Sequence, residues 1–232
     1  MLTTAQLGVS DAVAIVICLT LAGVIVRGRA RLCWSFVAYL VALLLGNRAT
    51  TWWPREFYTH DFWLLKTSVY TAITVLVAAE VAALTFVRAP RARRRALLAI
   101  GAIALAAAAA TALEVEYLPV AWLLVPRGET AALWALLVVV ALASWHRIPM
   151  ARYHKALIVS RTLCLTFDVV LLGTLAGKAH SDHAYATWSA YFTALDPLVF
   201  AATACVWAWA AWRPLEVQTG VRTQLQPWAA RC

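Results

Sequence analysis

Residues 8–31 read GVSDAVAIVICLTLAGVIVRGRAR, an apolar run that ends in a cluster of arginines. The part from 12 to 26 holds no charged residue and is followed at once by Arg27, Arg29 and Arg31. A helix needs about 20 mostly apolar residues to cross the hydrocarbon core of a bilayer, and basic residues collect on its cytoplasmic side. The stretch therefore predicts a first membrane-spanning helix whose N-terminus lies outside the cell.

The whole chain has the composition of a membrane protein. Of its 232 residues, 63% are hydrophobic and 13% are charged, whereas soluble domains are roughly half apolar and a quarter charged. The sequence therefore predicts an all-α integral membrane protein, a seven-helix bundle over 1–212 followed by a cytoplasmic tail over 213–232. The predicted spans lie near 8–26, 32–49, 62–87, 96–113, 129–146, 156–177 and 185–212. The end of the fourth span stays open, because Tyr117–Trp122 fits a continued helix, a re-entrant segment or an interfacial segment.

The charged residues follow the predicted connections. The connections after odd-numbered spans, together with the tail, hold fourteen Arg and Lys residues and one acid, whereas the other side holds five basic and seven acidic residues. This asymmetry predicts that the C-terminus is cytoplasmic and that the protein lies in a bacterial cytoplasmic membrane. The net charge of +9 is thus a topology signal, and no nucleic-acid partner is expected.

The order of the spans also fits a three-plus-one-plus-three arrangement. Spans one to three and five to seven would run in the same direction, with the Ala-rich fourth span as a linker, as in some transporters with parallel repeats. The offset that aligns the two triplets places Thr71-Ala72 over Thr193-Ala194. Two sets of three membrane helices also match in length without any duplication, so both explanations stay open.

Four ionisable residues fall inside predicted spans, where charge is costly and often functional. They are Glu80, Arg161, Asp168 and Asp196. We expect Arg161 to pair with Glu80 or with Asp168, because a guanidinium in lipid needs a partner. One interpretation is a network that only fixes helix packing. The other is a ligand site or proton path formed by Glu80, Arg161, Asp168, Thr193 and Asp196.

A second cluster of polar residues falls in the predicted outer connections. His60-Asp61 precedes the third span, and His180, Asp182 and His183 lie between the sixth and the seventh. Imidazole and carboxylate groups bind transition metals such as zinc, and three such ligands plus a water form a hydrolytic centre. The spacing matches no helical zinc-hydrolase signature, so solvated loop residues are the alternative.

Catalytic sequence motifs are not apparent. The chain contains no nucleophile elbow, phosphate-binding glycine loop or dinucleotide fingerprint, which favours a non-enzymatic function. The leading hypothesis is a ligand- or partner-binding module, either a sensor or a subunit of a membrane complex. The alternatives are a small-solute or proton-coupled transporter that uses the interior charges, and a metal-dependent hydrolase that uses His60, His180 and His183. The expected partners are the lipid bilayer and another membrane protein or a second copy of the chain.

Overall fold

The computed structural model describes residues 4–57, 59–114, 120–178 and 182–214, and within these ranges it is helical, with no strand. A short 3-10 turn, Arg29–Leu32, joins the first two helices. The helices are α1 Thr4–Val26, α2 Trp34–Trp52, α3 Pro54–Phe57, α4 His60–Thr85, α5 Pro90–Glu114, α6 Val120–Trp145, α7 Arg152–Lys178 and α8 Asp182–Trp212.

Six of these helices are long and apolar enough to cross a membrane, as expected of a multi-pass membrane protein. The apolar segments are Gly8–Val26, His60–Thr85, Pro90–Leu113, Val125–Trp145, Arg152–Thr174 and Ala194–Trp212. α2 is not among the six, since Asn47, Arg48 and two threonines lower the hydropathy of its last turns. Its membrane crossing, and the orientation of the bundle, remain predictions.

The long helices pack side by side in a closed ring. In order around the ring, α1, α2, α4, α6, α7 and α8 each contact the next, and α8 returns to α1. α5 lies outside this ring and packs against α4 and α6. The duplication itself remains a prediction.

The two ends of the bundle differ in their contacts. At one end, here called the basic end, lie the connections 27–33, 86–89 and 146–151 and the last turn of α8. The indole of Trp212 there donates to the carbonyl of Leu19 at 3.0 Å, which ties α8 to α1. At the opposite end, Arg48 Nη1 on α2 lies 2.7 Å from Asp11 Oδ1 on α1.

An aromatic plug fills the interior towards the basic end, formed by Phe36, Tyr39, Tyr153 and Trp207. Trp207 is 1% exposed, and its ring centroid lies 5.4 Å from that of Phe36 and 5.8 Å from that of Tyr39. Its indole N–H donates to Ser160 Oγ at 2.9 Å, so the one polar atom of the ring is satisfied. The plug therefore joins α2, α7 and α8 through edge-to-face ring contacts, a favourable geometry.

Arg29 is buried beneath this plug, whereas the sequence placed it in an exposed cytoplasmic connection. Gly28 takes a left-handed conformation, with φ 64°, and turns the chain inward. Arg29 is 2% exposed, donates to the carbonyl of Ala210, and lies 5.2 Å from the Tyr153 ring centroid. Burial lowers the pKa of its guanidinium below the ordinary value. This arginine therefore holds the connection against α8.

α6 begins nine residues before the predicted start of the fifth span, at Val120 rather than at 129. It runs through Pro126, which lies before the predicted start of that span. Membrane helices tolerate an internal proline, and the helix continues past it with Thr130 Oγ1 donating to the carbonyl of Pro126, one turn back, at 2.7 Å. The consequence is that Glu129, predicted at the outer boundary, lies inside a helix.

Candidate functional site

Four ionisable side chains from three helices meet in the bundle and form what we call the charged cluster. Glu129 comes from α6, Arg161 and Asp168 from α7, and Asp196 from α8. Glu129 interacts electrostatically with the other three. The sequence predicted that Arg161, Asp168 and Asp196 would come together, and the structure brings them together.

The three acids of the charged cluster lie at one level of the bundle. Each lies 16 residues from the end of its own helix at the basic end. At about 1.5 Å of rise per residue, that distance is about 24 Å along the helix axis. The aromatic plug therefore lies between the cluster and the basic end, and the carboxyl groups lie nearer to the opposite end.

The carboxyl groups of Asp168 on α7 and Asp196 on α8 are close enough to interact electrostatically. Because two neighbouring carboxylates repel each other, a single proton shared between them would relieve that repulsion. Asp168 is half-buried and Asp196 is exposed. The pair is therefore a candidate for holding a proton, with Asp168 as its more buried member.

Arg161 lies two turns before Asp168 on the same face of α7. Its Nη1 donates to Cys164 Sγ at 3.4 Å, and that thiol in turn donates to Asp168 Oδ2 at 3.8 Å. The guanidinium carbon also lies 5.2 Å from the centroid of the Tyr39 ring, a cation–π contact. Arg161 and Asp168 thus form no direct ion pair, and the thiol of Cys164 bridges the two side chains.

Two polar atoms of the charged cluster are buried without a hydrogen-bond partner among the described residues. They are Nε of Arg161, which is a donor, and Oε2 of Glu129, which is an acceptor. A buried polar group left unpaired costs about 1–3 kcal/mol. A molecule that offers both an acceptor and a donor would recover that free energy at both atoms.

Glu80 lies outside the charged cluster, so the predicted pairing of Arg161 with Glu80 is wrong. Its carboxylate accepts hydrogen bonds from the backbone N–H groups of Trp34 and Ser35, at 2.9 and 2.8 Å, and from the hydroxyl of Ser35. These contacts occupy it at the start of α2. The side chain of Thr193, the remaining predicted member, lies outside the described part of the structure.

Sequence reasoning missed Glu129, Tyr39 and Cys164 as members of this region. The predicted fifth span begins at Glu129 itself, which puts this residue at the outer boundary. The position of Glu129 could have been found by counting residues back from Trp145 at the basic end of α6. Glu129 is as many residues from the basic end as Asp168 and Asp196 are. Tyr39 and Cys164 gave no signal, because an aromatic ring or a thiol in an apolar span looks like ordinary packing.

The outer histidines are only partly described. His60 and Asp61 are exposed in the first turn of α4, and the His60 ring stacks on Trp63 with centroids 5.8 Å apart. His180 and the side chains of Asp182 and His183 lie outside the described residues. Among those that are described, no group of three His, Cys, Asp or Glu residues is arranged to hold a metal ion. The zinc site remains a prediction.

Comparison with known protein families, with curated proteins and with solved structures gave no match to this chain. Function is therefore argued from the chemistry of the site, because a helical bundle by itself does not define an activity. The charged cluster offers one guanidinium, one carboxylate with a free buried oxygen and one pair of neighbouring carboxyl groups. Such a set can bind a polar molecule and exchange a proton with it.

Proposed function

We propose that this protein is a membrane-embedded binding module whose bundle interior holds a small zwitterionic solute. The observation that carries this proposal is the presence, in one cluster, of a buried unpaired donor on Arg161 and a buried unpaired acceptor on Glu129. The anionic group of a zwitterion would accept from Arg161, and its cationic group would donate to Glu129. Hydrogen bonds in which both partners are charged are shorter and roughly twice as strong as neutral ones.

The charge of the cluster favours a zwitterion over a simple ion. Arg161 carries one positive charge, Glu129 is available as one negative charge, and the Asp168–Asp196 pair with one proton carries another. An anion alone would meet repulsion from the acids, and a cation alone would leave the guanidinium donor unpaired. Only a ligand with both charges complements both ends of the cluster.

The place of the site within the bundle fits a protein that meets its solute outside the cell. With the N-terminus outside and the basic end in the cytoplasm, the aromatic plug would separate the cluster from the cytoplasm. Asp196 is the exposed member of the cluster, so it would be the first of the four side chains that an incoming solute meets. The described residues contain no domain outside the helices, so a signal would reach a partner subunit or a second copy through the short connections or the membrane face.

Proton-coupled transport of the same solute is the second candidate function. The carboxyl pair favours it, since a proton shared by Asp168 and Asp196 would lie next to the proposed binding atoms. A cationic group that arrives near this pair would stabilise its ionised form and release the proton. Transport requires in addition that the aromatic plug opens, which binding alone does not.

The test of the binding function is thermal unfolding in mild detergent, followed by tryptophan fluorescence, with a panel of free amino acids and betaines. Primary amines and carboxylates of the same size serve as single-charge controls. We expect at least one zwitterion to raise Tm at concentrations where the single-charge compounds do not. A panel in which zwitterions never exceed both controls would contradict the proposal. Uptake of the binding zwitterion into proteoliposomes, driven by a proton gradient, distinguishes transport from binding.

A further inference from the structure

A cavity of about 420 Å³ opens at the basic end between α6 and α7. Its walls are apolar and include Val140, Ile158 and Val159, whereas Arg147 and Lys155 contribute its basic groups. The apolar segments of the two helices end at this level, with Trp145 on α6 and Arg152 on α7. The walls therefore lie at the depth of the hydrocarbon, and the two cations lie near the depth of the lipid headgroups.

The turn that follows α6 fixes one of these cations beside the cavity. Arg147 has a φ of 51°, the only positive φ at a residue other than glycine in the described chain. The turn is closed by two backbone hydrogen bonds, from Arg147 N to Ser144 O at 3.1 Å and from Ile148 N to Ala143 O at 2.9 Å. Within the described residues, the side chains of Arg147 and Lys155 make no ion pair.

We propose that this cavity is a binding site for an anionic phospholipid. One acyl chain would lie against the apolar walls, and Arg147 and Lys155 would bind the phosphate. The inference is independent of the solute proposed for the charged cluster. A lipid fits better than free phosphate because the cavity wall is mostly apolar, and an anionic lipid fits better than a neutral one because both side chains are cations.

A second cavity at the basic end is expected to bind lipid more weakly, and the test must distinguish it from the first. It lies between α1 and α8, is lined by Leu19, Trp209 and Trp212, and contains one cation, Arg213. The Arg213 guanidinium carbon already lies 4.6 Å from the Trp209 ring centroid. Since a single, stacked cation should bind a phosphate less tightly than two, we expect the tighter lipid at the cavity between α6 and α7.

The experiment is native mass spectrometry of the full chain in detergent, titrated with phosphatidylglycerol, with phosphatidylcholine of the same acyl chains, and with inorganic phosphate. Wild type is compared with Arg147→Gln/Lys155→Gln. The matched control is Arg93→Gln/Arg94→Gln, which removes two exposed cations from the start of α5. Ser144→Trp, at an exposed residue of the cavity lining, fills the cavity and keeps both charges.

We expect the tightest phosphatidylglycerol adduct to weaken roughly 25-fold in Arg147→Gln/Lys155→Gln, since each cation near anionic lipid strengthens binding about fivefold. Ser144→Trp should weaken it as well, and the α5 control should not. Equal loss in the control, undiminished binding in Ser144→Trp, or equal binding of phosphatidylcholine would overturn the proposal. If inorganic phosphate displaced phosphatidylglycerol completely, the site would be one for a free anion, and the lipid proposal would be overturned. An unchanged Tm in each variant confirms that the bundle is folded.

Discussion

Glu80 caps the first turn of α2 through Ser35, although the two residues lie on different helices. One carboxylate oxygen of Glu80 accepts from both the backbone N–H and the hydroxyl of Ser35, and the other oxygen accepts from the N–H of Trp34. The first N–H groups of a helix lack partners within the helix, and a carboxylate there is also favoured by the helix dipole. The residue at the cap position of α2, Cys33, supplies no side-chain cap. Glu80 thus joins α4 to α2 at the basic end.

Replacement of Glu80 by alanine should destabilise the bundle, because it leaves three hydrogen-bond donors at the start of α2 without their acceptor. Loss of a helix cap costs about 0.5–2 kcal/mol, and we expect Glu80→Ala to lie at the upper end because the lost acceptor is charged. The free energy of unfolding in detergent measures this. Glu56→Ala, at an exposed glutamate of α3, is the control. Equal stability of the two variants would contradict the capping role.

The two unpaired atoms of the charged cluster predict which variants lose solute. Arg161→Gln and Glu129→Gln should each weaken binding of the zwitterion by roughly 10- to 100-fold, the value of a hydrogen bond to a charged group. Glu80→Gln should change it by less than about threefold, since Glu80 lies elsewhere. Isothermal titration calorimetry on folded protein gives the three affinities. If Glu80→Gln lost as much affinity for the zwitterion as Glu129→Gln, Glu80 would have to be part of the binding site.

If Asp168 and Asp196 share a proton, binding of the zwitterion should release it into solution. Wild type should release close to one proton per solute, because the cationic group of the solute stabilises the ionised pair. Asp168→Asn/Asp196→Asn should release none, while the solute still contacts Arg161 and Glu129 and binds with reduced affinity. A pH indicator in weakly buffered detergent solution measures the release. Equal proton release from this variant would show that the proton comes from another group.

The fold class could be predicted from the sequence because lipid imposes simple rules on length and charge. Asp11, near the start of the first predicted span, and Arg48, near the end of the second, lie 2.7 Å apart, as expected of two neighbouring spans that run in opposite directions. The partner of a particular charge could not be predicted in the same way. Glu80 and Arg161 both lie in apolar spans, but the rotation of each helix about its axis decides what they meet, and that rotation follows from packing around the whole ring.

Helix boundaries were the second source of error. Pro126 divides an apolar run, and a proline in sequence reads as a break, yet α6 continues through it. That one boundary moved Glu129 from the surface into the charged cluster. The burial of Arg29 was missed for a related reason, since a basic connection reads as solvated until a helix end such as Ala210 is known to accept its hydrogen bond.

Replacement of glycine by alanine should have opposite effects at Gly46, where α2 approaches α4 closely, and at Gly101, which lies in open space on α5. A Cβ at Gly46 would collide with the hydroxyl of Tyr70, which donates to the carbonyl of Ala42 at 3.3 Å. Gly46→Ala should therefore cost about 1–3 kcal/mol, the range for overpacking. Gly101→Ala, where nothing lies within 4 Å, should stabilise α5 by up to about 1 kcal/mol.

The double variant Gly46→Ala/Tyr70→Phe tests that explanation. Removing the hydroxyl frees the space that the new methyl group needs, so Tyr70→Phe should recover most of the stability that Gly46→Ala loses. Thermal and denaturant unfolding of the four proteins in the cycle gives the coupling free energy. Additive losses would mean that the methyl group meets something other than the Tyr70 hydroxyl.

The crossing of α2 decides whether the chain has seven spans or six, and two cysteines can measure it. In a background without native cysteines, we expect Glu56→Cys, after α2, to react with a membrane-impermeant maleimide in intact cells. Arg27→Cys, before α2, should react only after the cells are permeabilised, since the positive-inside pattern places that connection in the cytoplasm. Arg94→Cys, at the start of α5, should behave like Arg27→Cys. Labelling of Arg27→Cys and Glu56→Cys from the same side would mean that α2 does not cross, and labelling of the basic end from outside would reverse the predicted orientation.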